Sequence, residues 1–157
     1  MEKVITYEKL PKLIKQLHHS IPIVLVGGCF DILHLGHIRF LKAAKKYGAV
    51  VVALESDQSL TQYKGRSRPI HTQNERAEVL ANLETVDYIL LLPHFTTHKE
   101  YYDLTQTLKP KTIAVTAGDT LLSKKEEQAK LVDAKVIIIP KINTPSTTQL
   151  AKLLNLG

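Results

Sequence analysis

The chain has 157 residues, 44% of them hydrophobic and 23% charged, and its formal net charge is +6. This length and composition are those of one globular domain, residues 1–157, and they exclude a wholly disordered chain. Because no apolar run approaches the roughly 18 residues of a membrane span and the amino terminus is charged rather than apolar, we expect a cytoplasmic protein with no membrane partner.

Five short runs rich in Val, Ile and Leu predict buried strands. They lack the polar alternation of a half-exposed sheet, so each strand should be covered on both faces. In chain order the predicted strands are Ile23–Val26, Val50–Leu54, Tyr88–Leu92, Thr112–Val115 and Val136–Ile139.

Helical patterns fall before and between these strands. The leading segment, residues 1–20, repeats apolar residues from Leu10 to Leu17 at helical spacing and predicts a helix packed on the domain, with an irregular start at Pro11. A second helix should follow the first strand and stop at Gly48, and another should cover Lys99–Leu108. Three hydroxyl residues followed by Glu or Gln three positions later predict capping boxes: Thr72 with Glu75, Ser123 with Glu126, and Ser146 with Gln149.

Alternation of strands and helices implies parallel crossovers. The sequence therefore predicts an α/β fold, a single doubly wound sheet of five parallel strands with helices on both faces. Such sheets bind ligands at the carboxyl ends of their strands, beside the point where the strand order reverses. Functional residues are therefore expected directly after strands.

The basic charge of the chain does not by itself indicate a nucleic-acid partner. The lysines are scattered, and the one local group of cations is Lys64, Arg66 and Arg68. Three cations suit a triphosphate as well as a polymer, so we expect anionic small substrates and no nucleic acid.

His34, Gly36 and His37 lie at the expected helix start after the first strand. There the free N–H groups and the helix dipole favour phosphate, Gly36 allows close backbone approach, and the imidazoles can donate to phosphate oxygens. Donors arranged in this way favour nucleotidyl transfer, in which charge develops on the α-phosphate and on departing pyrophosphate. Two other interpretations remain open: histidines that only cap the helix, or a pair that holds a metal.

The segment from Gly28 to His37 resembles the signature of the H-x-G-H nucleotidyltransferase superfamily, in its cytidylyltransferase-like branch. The Rossmann-like enzymes of this superfamily attach a nucleoside monophosphate to a phosphorylated small molecule and release pyrophosphate, generally with Mg²⁺. Further segments are similar to the adenylyltransferase half of the bifunctional heptose kinase/adenylyltransferase. They are Lys64–Pro69, Asn74–Ala77, Leu83–Tyr88 and Ser146–Thr148.

The resemblance implies a role for each matching residue. It makes His34, His37 and Lys64 catalytic, as groups that contact the phosphates during transfer. It implies nucleotide contacts at Gly28, Cys29, Phe30, Asp31, Gly36, Arg76, Gly118, Asp119, Ser146, Thr147 and Thr148. Arg66, Arg68 and Lys141 are candidates for the acceptor phosphate, and Asp31 for the metal. Plainer roles compete: a turn for Asp31, packing for Cys29, capping for Ser146, and a solvated loop for Arg66 and Arg68.

One segment departs from the heptose-type pattern. Those enzymes usually read V-K-G-G-D-Y after the fourth strand, whereas this chain reads Val115-Thr116-Ala117-Gly118-Asp119-Thr120. ATP with a sugar phosphate such as heptose 1-phosphate is the favoured substrate pair. CTP with glycerol 3-phosphate or a similar alcohol phosphate, a flavin-nucleotide-forming enzyme, and a catalytically silent nucleotide-binding regulator are the alternatives. Because members of the family are often dimeric, a homodimer is also expected.

Overall fold

A computed structural model describes residues 2–17 and 21–156 of the chain. The strands are β1 (Val4–Thr6), β2 (Ile23–Gly28), β3 (Ala49–Leu54), β4 (Tyr88–Leu91), β5 (Thr112–Thr116) and β6 (Lys135–Ile139). The α-helices are α1 (Leu10–Leu17), α2 (Leu35–Lys45), α3 (Asp57–Lys64), α4 (Gln73–Ala81), α5 (His98–Leu108), α6 (Leu122–Leu131) and α7 (Thr147–Leu153). The described strands form one sheet in the order β1-β4-β3-β2-β5-β6, and every neighbouring pair is parallel.

All five predicted strands are present, but the sheet has six strands, so the predicted number is wrong. The additional strand, Val4–Thr6, pairs with β4 at the edge of the sheet, where Val4 lies opposite Ile89. Its three residues are too short a run to show strand periodicity, and only the neighbouring strand makes it extended.

The leading segment contains this strand as well as the predicted helix. Helix α1 follows a 3₁₀ turn at Tyr7–Lys9, and Pro11 lies in its first turn, where a missing N–H costs little. Leu10 and Leu13 of this helix are buried in the core, as expected of a helix packed on the sheet. Met1 and the end of the predicted segment, residues 18–20, lie outside the described residues.

Two of the three predicted capping boxes are confirmed, at Thr72 with Glu75 and at Ser146 with Gln149. The third is wrong, because α6 begins at Leu122 and places Ser123 inside the helix. Helix α5 begins within one residue of its predicted start. Helix α3 was not predicted, and it puts Lys64 in the last turn of a helix rather than in a loop.

The two faces of the sheet carry separate apolar layers. One layer packs leucines of α1 and α5 and Ala129 of α6 against the sheet. The other packs residues of α2 and α4, such as Leu41 and Leu80, against the opposite face. No helix within the described ranges combines the length and the apolar character needed to cross a membrane.

The strand order reverses at β2. From β2 the chain runs through α2 to β3 on one side, whereas β5 occupies the other side. Connections that leave in opposite directions open a crevice at the carboxyl ends of the two strands. The sheet therefore places its ligand crevice between the ends of β2 and β5, directly beside the segment that contains His34 and His37.

Candidate active site

A cleft of about 430 Å³ lies at this carboxyl edge of the sheet. Its wall comes from the end of β2 and the start of α2, from the end of β5, and from the segment after β6. The volume falls in the range of small-molecule sites. Predicted site residues in the wall are Gly28, Cys29, Phe30, His34, Gly36, His37, Asp119, Lys141 and Ser146.

His34 is the N-cap of α2 and also faces the cleft. Its Nδ1 accepts a hydrogen bond from the Gly36 backbone N–H at 3.0 Å. Burial lowers the pKa of His34, which favours the neutral ring. A neutral ring that accepts at Nδ1 carries its proton on Nε2, so the cap sets the tautomer and leaves Nε2 as a donor. The sequence analysis treats helix capping and phosphate binding as alternative roles of this histidine, and the geometry allows both at once.

Glycine is required at position 36 by the capping ring. A Cβ there would lie 2.8 Å from His34 Cε1 and 2.9 Å from Nδ1, closer than real Cβ contacts allow. Gly28 has the same kind of role, because a Cβ would lie 2.7 Å from Cε2 of the Phe30 ring. Because neither glycine has a Cβ, the rings of Phe30 and His34 can lie against the backbone in the cleft wall.

The His37 ring packs on the His34 ring, with centroids 3.9 Å apart, and lies 5.0 Å from the centroid of the Phe30 ring. Burial, followed by the nearby charge of His34, lowers the pKa of His37 to about 4. The Nδ1 of His37 is buried without a hydrogen-bond partner among the described residues. A neutral imidazole with one shielded nitrogen offers its Nε2 to a ligand, as a hydrogen-bonding group rather than as a cation.

The cleft wall is rich in cations. Arg39, Lys125 and Lys141 line it, whereas Asp119 is the single carboxylate that the described residues contribute. An excess of positive charge in a concave site favours anionic ligands. Sequence reasoning missed Arg39 and Lys125. Arg39 lies two residues after His37, which is a usable signal. Lys125 lies within α6, several positions after the end of β5 in the sequence, and no local signal marks it.

Asp31 holds a neighbouring loop in place, and its predicted contacts with metal and nucleotide stay predictions. Its carboxylate accepts from Arg68 Nε at 2.6 Å and from the backbone N–H groups of Ile70 and His71 at 3.0 Å. The Asp31 side chain is fully shielded from solvent, and that of Arg68 is 5% exposed. These bonds lower the pKa of Asp31 despite its burial. The pair ties loop 66–71 to the end of β2, so neither residue faces the cleft.

Arg76 is likewise buried within the protein rather than exposed to a ligand. Its guanidinium donates to the carbonyl oxygens of Cys29 at 2.6 Å, Glu55 at 2.9 Å and His71 at 3.1 Å. It also pairs with Asp57 Oδ1 at 2.8 Å, and its side chain has no exposed surface. Arg76 thus connects the loops that follow β2 and β3 with the loop between α3 and α4, and its predicted nucleotide contact stays a prediction.

The remaining predicted residues lie outside the cleft wall. Lys64, Arg66, Gly118 and Thr148 are exposed. Thr147 Oγ1 donates to the Ile32 carbonyl at 2.9 Å and so ties α7 to the segment before His34. Ligand roles for these residues stay predictions. Across residues 2–17 and 21–156, no group of three or more His, Cys, Asp or Glu side chains could hold a metal ion.

Comparison with known proteins shows the family to which this fold and motif belong. Residues 25–152 match the family model described as Cytidylyltransferase-like. The bifunctional protein HldE of a Nitratiruptor species is 38% identical over 148 residues, which are 93% of this chain and 30% of that protein. The chain thus spans about a quarter to a third of the length of the curated relatives it matches.

Two solved structures are similar as well. The lipopolysaccharide core biosynthesis protein from Thermoplasma volcanium aligns with a TM-score of 0.62 and 28% identity, covering 80% of this chain and 99% of the other. Pantoate-beta-alanine ligase from Francisella tularensis, solved with beta-gamma ATP and beta-alanine, aligns with a TM-score of 0.70 and 17% identity, covering 92% and 69%. At that identity the second likeness shows the fold alone.

Proposed function

Since this chain belongs to the cytidylyltransferase-like family, we propose that it is a nucleotidyltransferase. It transfers a nucleoside monophosphate from a nucleoside triphosphate to the phosphate of a small metabolite and releases pyrophosphate. The observation that carries the proposal is the stacked pair of neutral histidines at the start of α2, inside a cationic cleft.

The bonds that change are simple. A phosphate oxygen of the acceptor attacks the α-phosphorus, and the bond from that phosphorus to the oxygen that bridges to the β-phosphate breaks in line. The acceptor phosphate is already an anionic nucleophile, so the protein needs to form no covalent intermediate. Its contribution is positioning and stabilisation of the negative charge that develops.

We assign that stabilisation to groups at the start of α2. His34 lines the cleft, its Nε2 is held as a donor by the bond from Gly36, and the free N–H groups of the first turn of α2 lie beside it. The His37 ring packs against it and supplies a second neutral imidazole. Neutral donors that are already aligned cost no reorganisation when charge moves onto the departing oxygens.

Mg²⁺ is compatible with this cleft mainly through the triphosphate itself. Asp119 is the single carboxylate of the wall within the described ranges, and its Oδ1 already accepts from the Leu121 N–H at 2.7 Å. Mg²⁺ is commonly held by one or two carboxylates together with substrate phosphates and water. When bound, the ion would neutralise phosphate charge, and Asp119 would be the protein residue that holds it.

ATP and a sugar phosphate such as heptose 1-phosphate are the proposed substrate pair. Segments such as Lys64–Pro69 resemble the heptose-type adenylyltransferases, and the similar proteins include bifunctional HldE and a lipopolysaccharide core biosynthesis protein. CTP with glycerol 3-phosphate or a similar alcohol phosphate is the second candidate. It is favoured by Thr116, which lines the cleft where heptose-type enzymes carry a lysine.

Pyrophosphate release tests the proposal. ATP and CTP are each combined with heptose 1-phosphate, glycerol 3-phosphate and flavin mononucleotide in the presence of Mg²⁺. We expect release with one combination, and a decrease of about 10²–10³-fold in His37→Ala, as for the loss of one transition-state donor. His98→Ala, at an exposed histidine outside the cleft wall, is the matched control and should retain the wild-type rate.

Two results would contradict the proposal. A wild-type rate in His37→Ala would remove the histidine pair from the chemistry. Nucleotide binding without pyrophosphate release in any combination would favour a catalytically silent regulator instead.

A further inference from the structure

Lys125 is a cation inside the cleft without a direct partner. It lies on α6 and lines the cleft, yet within the described ranges its amino group makes no hydrogen bond or ion pair. The adjacent Lys124, by contrast, points outward and pairs with Glu127 at 3.3 Å. An ammonium group that is partly removed from water and lacks an anion is costly unless a ligand supplies the anion.

The absence of a side chain at Gly27 leaves space for this ammonium group. A Cβ at Gly27 would lie 3.3 Å from Lys125 Nζ, closer than most real contacts, so a larger residue there would press on the lysine. Gly27 is the second-last residue of β2, the strand that leads to His34 and His37. Nζ therefore lies beside the end of the strand that leads to the candidate catalytic segment, next to a glycine that also lines the cleft.

The charges around Lys125 leave its amino group incompletely compensated. Burial lowers its pKa, while the more distant carboxylates of Asp119 and Glu55 act in the opposite direction. Glu55 is itself buried, which raises its pKa; its Oε1 accepts from the Tyr101 hydroxyl at 2.9 Å, and its Oε2 has no partner among the described residues. Both acids act on Lys125 through space. A bound anion would give the ammonium its first direct partner.

On these grounds, and resting on the proposed function, we propose that Lys125 binds a phosphate group of the nucleoside triphosphate. Thr116 lines the same cleft and offers no charge, so Lys125 supplies positive charge on the β5 side of the site. A flexible ammonium group suits this task because it can follow charge from one phosphate oxygen to another. In this proposal the cation comes from α6, not from position 116 at the end of β5.

Nucleotide affinity in the absence of acceptor is the first test. Calorimetric titration of ATP, CTP and inorganic pyrophosphate is carried out on the wild type, Lys125→Met and Lys130→Met. Methionine keeps the length of the side chain, and Lys130 is an exposed lysine of the same helix. We expect Lys125→Met to bind the preferred nucleotide about 10–100-fold more weakly, and pyrophosphate more weakly too, as for the loss of one charged hydrogen bond. Lys130→Met should match the wild type.

Chemical labelling of the unmutated protein provides a second test that does not depend on the folding of a variant. Lysine acylation is followed residue by residue by mass spectrometry, with and without the nucleotide. We expect the nucleotide to slow modification of Lys125 at least about fivefold while Lys130 reacts as before.

The outcomes separate the two proposals. Unchanged affinity in Lys125→Met, or unchanged labelling of Lys125 with nucleotide bound, would overturn the role of Lys125 and leave the proposed function intact. Failure of the wild type to bind any of the nucleotides would remove the proposed function, and the role of Lys125 with it.

Discussion

Replacement of Arg76 by methionine is expected to destabilise the fold even when no nucleotide is present. The guanidinium bonds the carbonyl oxygens of Cys29, Glu55 and His71 and pairs with Asp57, all without exposing its own side chain. Methionine would fill similar space but donate no hydrogen bond. Three loop carbonyls would then lose their donor at once.

The magnitude follows from those contacts. Each buried acceptor that loses its donor costs about 1–3 kcal/mol, and the removal of one partner of a buried charged pair typically costs about 3–5 kcal/mol in total. Since Asp57 is 44% exposed and His71 is an exposed residue, water can replace the bonds lost at both, so the carbonyl groups of the half-buried Cys29 and Glu55 dominate the loss. We expect about 3–5 kcal/mol, or roughly 6–20 °C in melting temperature for a chain of this length.

Urea denaturation and thermal melting measure this loss, with Arg66→Met as the matched control at an exposed arginine. The control should melt within about 2 °C of the wild type. If Arg76→Met retained wild-type stability and lost nucleotide affinity instead, the structural role derived above would be wrong. The original interpretation of Arg76 as a ligand contact would then be correct.

Two further predictions concern the histidine pair. The folded-state pKa of His37 is about 4 against the ordinary 6.5, so between these values the unfolded chain binds more protons. The free energy of unfolding should therefore fall as pH falls from about 6.5 toward 4, by at most about 3 kcal/mol from this residue. Denaturation at pH 5 and pH 7 should show a smaller difference in His37→Gln than in the wild type. Gly36→Ala should force the His34 ring out of its cap, because the new Cβ would lie 2.8 Å from that ring. We expect pyrophosphate release to fall at least about tenfold while only about 1 kcal/mol of stability is lost with the cap, and an unchanged rate would show that the capped tautomer is dispensable.

Local patterns in the sequence were sufficient for most of the secondary structure. Runs of Val, Ile and Leu mark five of the strands, and a hydroxyl followed by Glu or Gln marks two helix starts, at Thr72 and Ser146. The expectation that each of these strands is covered on both faces is wrong for the edge strand β6, where Ile138 is 54% exposed. Each of these signals lies within about ten residues and depends on backbone geometry that the residues themselves favour. The segment from Gly28 to His37 is also a local signal. It runs from the last residue of β2 to the first turn of α2, so the proximity of its residues needs no distant partner.

Charged side chains were predicted less well, because burial is not a local property. Asp31 and Arg68 are 37 positions apart, and nothing near either residue shows that the other will enclose it. Arg76 was expected to bind a ligand because a cation in the first turn of a helix opposes the dipole. Its carbonyl partners come from three separate loops.

The sequence by itself thus determined a parallel α/β sheet, a site after its first predicted strand, and the type of chemistry that two histidines and a glycine support at a helix start. Tertiary structure decided that Val4–Thr6 joins the sheet, that Asp31, Arg68 and Arg76 support the loops, and that Lys125 enters the cleft. The reason is physical. Strand and helix propensities act between near neighbours, whereas the pairing of a buried charge and the position of a strand edge depend on residues that only the folded chain brings together.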